Sequence, residues 1–336
     1  DLRMSRGLGD VYKRQVLHIL TFYLENTLFK GSHYLMNNSQ NIKQYFGISS
    51  HKPTSFVNAY CNTDIQCFVD PALLFGLHVE NFNSQQAMRK INSFFHKVLT
   101  LYRNGNSIAA AKLFTQFSEN GALGLGYSRG SRKGRGLSED MLINFFNKVN
   151  QLSKLSDKTL TDPAIYRLYI QQFDNDRFTD LITTIISYEL VEYTRLESSK
   201  LGIPLTYSLS NNYYWDGDNF QKLRGLVPSV NNEGLVLIPY RLLTKRYQYT
   251  IESFIRTMII PSKQAKYAAE HNNKTITANG MIQSIRKQYA DNGGLKQYAL
   301  DELEKSQHLL SLYMKSINRD NSVSHSLPLS SEDDIA

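Results

Sequence analysis

The chain of 336 residues has only two cysteines, Cys61 and Cys67, and six positions separate them in a segment expected to form strand, turn and strand. That spacing matches no zinc motif, and with no export signal it predicts a reduced, cytoplasmic protein. No run of about 18 apolar residues is present, so no membrane-spanning helix is expected. The eight histidines are scattered, with neither H-x-H nor H-E-x-x-H spacing, and no G-x-S-x-G elbow occurs. A zinc protease or a hydrolase acting through a covalent serine or cysteine is therefore disfavoured. There is no internal repeat and no clear linker.

What the chain does have is basic charge, +8 in total, with 41% hydrophobic and 20% charged residues. This is the composition of a globular protein with a sizeable core, and the surplus of cations leans towards a polyanionic partner. Residues 1–15, "DLRMSRGLGDVYKRQ", lack hydrophobic periodicity and resemble translated adaptor sequence. Without them the net charge is +6. Val16 to Leu35 reads either as a terminal helix or as translated upstream sequence, because Met36 opens "MNNSQNIKQYFGI" like an ordinary bacterial amino terminus. Residues 1–35 are accordingly set apart as a non-native extension, 36–318 as one globular domain, and the polar stretch 319–336 as a disordered tail.

Local patterning predicts an α+β fold, predominantly helical, with a small mixed or antiparallel sheet. "SFVNAYCNTDIQCFVDPALL" reads as a short hairpin ending at Asp70-Pro71. Apolar residues at helical spacing run from Asn83 to Tyr102, and an alanine-rich helix follows over Ile108 to Phe117. Ser138 with Glu139 and Asp140 marks a capped helix start, and Asp162-Pro163 marks another. Phe178 to Tyr193 reads as one amphipathic helix. Leu235 to Pro239 is the best candidate for a buried strand, and three or four helices are expected from Thr250 to Asn318.

Three segments carry candidate chemistry. In "GALGLGYSRGSRKGRGLSEDM", six glycines and four cations (Arg129, Arg132, Lys133, Arg135) fall within sixteen residues. Gly124, Gly126 and Gly130 spell G-x-G-x-x-x-G, but no buried strand precedes them as a dinucleotide site requires, and Lys133 lacks the Ser or Thr of a Walker loop. Glycine amides, forked guanidinium donors and a helix start all favour phosphate, so Arg129, Arg132, Lys133, Arg135, Gly126 and Gly130 are the phosphate-binding candidates, against a plain solvated loop.

In "DNDRFTDLITTIISYELVEYT", Asp176 and Asp180 lie one turn apart, opposite the apolar stripe together with Thr184 and Ser187. They are candidate ligands for Mg²⁺ and candidate catalytic acids, with Asp70 as a third ligand. The competing reading is that Asp174 or Asp176 simply caps the helix. Glu189 falls inside the apolar face, where an ionised carboxylate needs a partner, a raised pKa, or a helix that ends nearby. In "IPYRLLTKRYQYT", Arg241, Lys245 and Arg246 alternate with Tyr240, Tyr247 and Tyr249, a pattern suited to nucleic acid if exposed and to packing if not.

"CFVDPALL", "LGYSRGSRKGRGL" and "DRFTDLITTIISYELVEYT" followed by "LIPYRLL" together resemble a family of uncharacterised bacterial proteins associated with phages, mobile elements and defence islands. The resemblance covers about Ile42 to Arg246 and departs at Thr184, where asparagine is expected. It implies that the carboxylates and the basic loop belong to one site. Two functions remain open: a Mg²⁺-dependent nuclease-like enzyme acting on nucleic acid, with Asp176, Asp180 and Glu189 catalytic, or a noncatalytic module binding nucleic acid or a protein. A PD-(D/E)xK nuclease would need Glu-x-Lys on the strand at Leu235 to Pro239, and that pair is missing.

Overall fold

Asn83 accepts a hydrogen bond from the Gln86 amide and starts the longest helix, α2 (Ser84–Arg103). Its buried stripe of Ala87, Ile91, Phe94, Phe95, Val98 and Leu99 recurs every three or four residues, as an amphipathic helix on a core must. The computed structural model describes residues 40–61, 63, 65–114, 139–151, 160–171, 173–210, 212–247, 250–306, 308–310, 312–313 and 328–335. Before α2 come a single turn, α1 (Ile42–Tyr45), and a two-residue strand, β1 (Phe68–Val69). After it come α3 (Ser107–Leu113), α4 (Glu139–Gln151), α5 (Pro163–Tyr169), α6 (Asn175–Ile185) and α7 (Ser187–Leu201).

Short strands follow: β2 (Tyr207–Leu209), β3 (Tyr213–Trp215), β4 (Phe220–Lys222), β5 (Gly225–Val227), β6 (Ser229–Val230), β7 (Glu233–Gly234) and β8 (Leu243–Thr244). They form four separate antiparallel pairs, β1–β8, β2–β5, β3–β4 and β6–β7, among the described residues. Four helices follow, α8 (Ile251–Phe254), α9 (Ile260–Glu270), α10 (Ala278–Gln288) and α11 (Gly294–Lys305), and helical residues recur at 308–313 among the described residues. The fold is thus α+β and dominated by helix, with the small antiparallel content expected.

One hydrophobic cluster runs from Ile42 to Leu329 and takes in Ile282, Ala299 and Leu303, so the helical carboxyl-terminal third shares the core of the rest. Its centre is aromatic. Phe94 meets Phe95, Phe114 and Trp215 edge-on at 5.1, 5.6 and 5.2 Å, and Phe95 lies 4.6 Å from Tyr166. Edge-to-face pairs of this kind add about 0.5–1.5 kcal/mol each beyond their buried area. Trp215 Nε1 donates to Ser93 Oγ at 2.8 Å, so the buried indole keeps a partner.

Four expectations need correction. The hairpin at 55–71 is not formed: Phe68 and Val69 pair instead with Thr244 and Leu243. Leu235 to Pro239 is not a strand of a ladder but makes one isolated antiparallel bridge, Phe56 opposite Pro239, with the Val57 amide on Ile238 O at 2.9 Å, while the Leu237 amide is taken by Thr194 Oγ1 at 2.9 Å. The helix expected over Phe178 to Tyr193 is two helices divided at Ile186. Residues 328–335 are not a disordered tail, since Leu329 is buried and its amide donates to Leu243 O at 2.9 Å.

Candidate functional site

Asp70 leaves β1 and turns the chain into a 3-10 segment, Pro71–Leu74, by accepting from the Ala72 amide at 2.9 Å. The carboxylate is buried. Facing it are Arg167 of α5 and Tyr247, which lies just beyond β8. The Arg167 guanidinium sits 4.0 Å from the centre of the Tyr247 ring, and it donates to Asn175 Oδ1 at 3.3 Å. Tyr247 in turn donates to Val69 O at 2.8 Å and shares a 3.2 Å hydrogen bond with Thr179 of α6.

Asp176, in the first turn of α6, completes the group. Burial pushes the Tyr247 phenol well up, and both Asp70 and Asp176 push it the same way while Arg167 opposes them. Burial lowers Arg167, and Tyr247 and Asp70 draw it back up. Asp70 thus acts on both Arg167 and Tyr247, while Asp176, from a different element, acts on the Tyr247 side of the group.

Asp174, not Asp176, is the cap of α6, accepting from the Arg177 amide at 3.0 Å. Asp180 is half-buried, and its main-chain carbonyl accepts from Thr184 Oγ1 at 2.7 Å. Thr184 and Ser187 are buried, so the face expected to point outward is packed against the rest of the protein.

Glu189 belongs to a different cluster. It accepts from Lys90 of α2 at 2.8 Å, with both side chains buried. The Lys90 ammonium also lies 4.8 and 4.9 Å from the ring centres of Tyr188 and Tyr214. Burial raises the Glu189 carboxyl above its usual range, and Lys90 pulls it back. The need for a partner was legible in the sequence; that the partner is a lysine 99 positions earlier was not.

The phosphate-binding candidates Arg129, Arg132, Lys133, Arg135, Gly126 and Gly130 lie outside the described residues. Helices α3 and α4, which precede and follow that stretch, pack against each other. In the third segment Tyr247 is buried, which removes it as a stacking platform, whereas Arg241 and Arg246 are exposed. An open groove of about 700 Å³ is lined by Leu74, Phe75, His78, Glu80, Asn83 and Met88 among others, and none of Asp70, Asp176, Asp180 or Glu189 lines it. Among the described residues no group of three or more His, Cys, Asp or Glu side chains is placed to hold a metal ion.

Sequence reasoning missed Arg167 and Lys296. Lys296 of α11 donates to the carbonyls of Arg167, Ile170 and Phe173, each at 2.8 Å, and so closes the end of α5 beneath the Arg167 group. Burial, with Arg167 nearby, brings this lysine down to about 7. A lysine in the first turn of an amphipathic helix carries no signal of that role.

Comparison with known proteins places these features within a family. The profile described as Domain of unknown function (DUF8370) matches residues 47–250. The chain belongs to that family. The DUF8370 segment contains Asp70, Arg167, Asp176, Glu189 and Tyr247, while Lys296 is supplied by a helix beyond it. No match was found among the curated proteins or the solved structures.

Proposed function

We propose that the protein is a nucleic-acid-binding module, of the phage or defence systems that the sequence resembles, whose contact element is the basic glycine-rich segment around Arg129 to Arg135. The observation that supports this reading is the engagement of acidic candidates by the protein's own groups: Arg167 near Asp70, and Lys90 on Glu189. Acids matched in this way contribute to the fold, and the surplus cations are what remains for a polyanion. Phosphate contacts of this kind release counterions, and affinity then falls steeply with salt.

The presence of both Asp70 and Asp176 around Tyr247 supports a second reading, a Mg²⁺-dependent nuclease. Mg²⁺ keeps several waters and is commonly held by one or two carboxylates plus substrate phosphates, so a pair of acids is enough for this reading. Asp180 would stand one turn along.

Affinity for single- and double-stranded DNA and RNA, measured against salt, tests the first reading. Arg132→Ala/Lys133→Ala is expected to reduce the slope of log affinity against log salt by about 1.4 to 1.8, from roughly 0.7 to 0.9 per phosphate contact. An unchanged slope counts against contacts there. Incubation of the same substrates with Mg²⁺ or Mn²⁺ separates the two readings. Cleavage that Asp176→Ala abolishes would establish the nuclease and displace the noncatalytic reading.

A further inference from the structure

Lys43 is only 2% exposed, and its main chain is fixed from within the body of the protein: its amide donates to Asn58 Oδ1 at 3.0 Å. A buried ammonium without an anion is costly, so this position demands a negative partner. The partner here is Glu332, close to the other end of the sequence. The Glu332 carboxylate also accepts from the amide and the hydroxyl of Thr54, and so receives three donors from two separate stretches of chain.

The neighbouring residues extend the contact in both directions. Asn58 donates from its main-chain amide to Glu332 O at 2.8 Å and from its side chain to Asp333 Oδ1 at 2.8 Å. Lys245, just past β8, pairs with Asp334 at 2.9 Å. At the upstream end, the Leu329 amide donates to Leu243 O in β8, and the Leu329 side chain enters the core. Strand β8 has only β1 as a ladder partner among the described residues. The segment is held by one main-chain bond at the edge of β8, one apolar anchor, and side-chain contacts beyond it made by residues 331–335, which are folded into turns.

We propose that the groove framed by Lys43, Thr54, Asn58 and the β8 edge is a recognition site for acidic peptides of the type Leu-Ser-Ser-Glu-Asp-Asp, and that the chain's own Leu329–Ile335 is the ligand it holds in this structure. The partner is a protein segment of that chemistry, which exchanges with the resident one. Three features make this a site for a peptide and not for any anion. The main-chain bond to Leu243 and the Leu329 anchor have no use for a phosphate. The donors to Glu332 converge on a single carboxylate, whereas Asn58 and Lys245 serve the next two acids in order. A tethered ligand also competes at the millimolar effective concentration typical of short connections, so an outside segment binds well only when the resident one is weakened or outcompeted.

The test uses the full chain and a fluorescent peptide of residues 328–336. Glu332→Gln/Asp333→Asn/Asp334→Asn in the chain weakens the resident segment, and the peptide is expected to bind this variant at least tenfold more tightly than it binds the wild-type chain. A peptide carrying the same three neutral residues is expected to bind at least tenfold more weakly, and Lys43→Met in the variant chain to abolish binding. Equal affinity for both chains, or for both peptides, overturns the proposal. So does displacement by inorganic phosphate or an oligonucleotide at concentrations where the acidic peptide acts. Should the variant chain not fold, methyl resonances of Leu329 and Ile335 in the wild-type chain provide the second reading: excess peptide moves them to their free positions, and no movement at millimolar peptide rejects exchange.

Discussion

Lys90 and Glu189 meet inside a wall of aromatic rings, and the two oxygens of the acid are not equally served. One accepts from the ammonium, while Glu189 Oε2 is buried with no hydrogen-bond partner. Removing the cation leaves a carboxylate stranded away from water. Lys90→Met is therefore expected to destabilise the protein by about 3–5 kcal/mol, read from urea unfolding. Lys90→Met/Glu189→Leu removes both charges and should recover most of that loss, because apolar replacements of a buried pair are often neutral or better. A single substitution costing under about 1 kcal/mol would mean that the pair is more hydrated than its burial indicates. The same arithmetic explains why Glu189 stood out in the sequence. A charge inside an apolar stripe is a legible anomaly, but the stripe does not say which distant cation answers it.

At the level of elements, Lys296 decides how α5 ends. Its three N–H groups satisfy three carbonyls, and no neutral side chain of similar length does the same. Lys296→Met is expected to cost about 2 kcal/mol or more, from about 1–3 kcal/mol for each of the Arg167 and Phe173 carbonyls that lose this donor, since Ile170 O keeps the Phe173 amide at 3.3 Å. Thermal unfolding of the variant, with Lys296→Arg as the retained-charge control, checks this. A loss smaller than about 1 kcal/mol would show that water replaces the ammonium. Helix starts were well written in the sequence, since Asn83 and Asp162 each bind an amide of the first turn and proline follows Asp162. The division at Ile186 was not. Its apolar periodicity continues unbroken, while Thr183, Thr184 and Ser187 turn their hydroxyls back onto carbonyls three or four residues earlier. Such bonds bend a helix without altering its hydrophobic pattern. A related case is the wide π turn at Ile255–Ile259, which accommodates Pro261 within an otherwise continuous helix.

Across the whole molecule, contacts far apart in sequence hold the architecture, and this limited what could be read in advance. The class was legible because helical periodicity is local; the β1–β8 pairing was not, because nothing in "CFVD" names a strand 175 residues later. The Arg167 group escaped notice for the same reason, as its members come from four separate elements. The return of residues 329–335 also gives a pH dependence. The Ser330 amide and Lys245 hold the Asp334 carboxyl down, from 3.8 to about 2. An acid lowered on docking contributes fully above its free value, and that contribution is lost as pH falls through the docked one. Loss of the Asp334 contacts with Ser330 and Lys245 is therefore expected between about pH 4 and 2, seen as movement of the Ile335 methyl resonance, and Asp334→Asn should remove that step. A transition unchanged in the variant would assign it to another group. There is also a matter of timing. Lys43 and Glu332 are separated by 289 positions, so at about 5–20 residues per second a ribosome takes roughly 15 to 60 s to deliver the acid after the lysine has emerged. Throughout that interval the nascent amine must stay in water or borrow a counterion, and the Lys43 side chain of α1 reaches its buried pairing only after Glu332 has emerged.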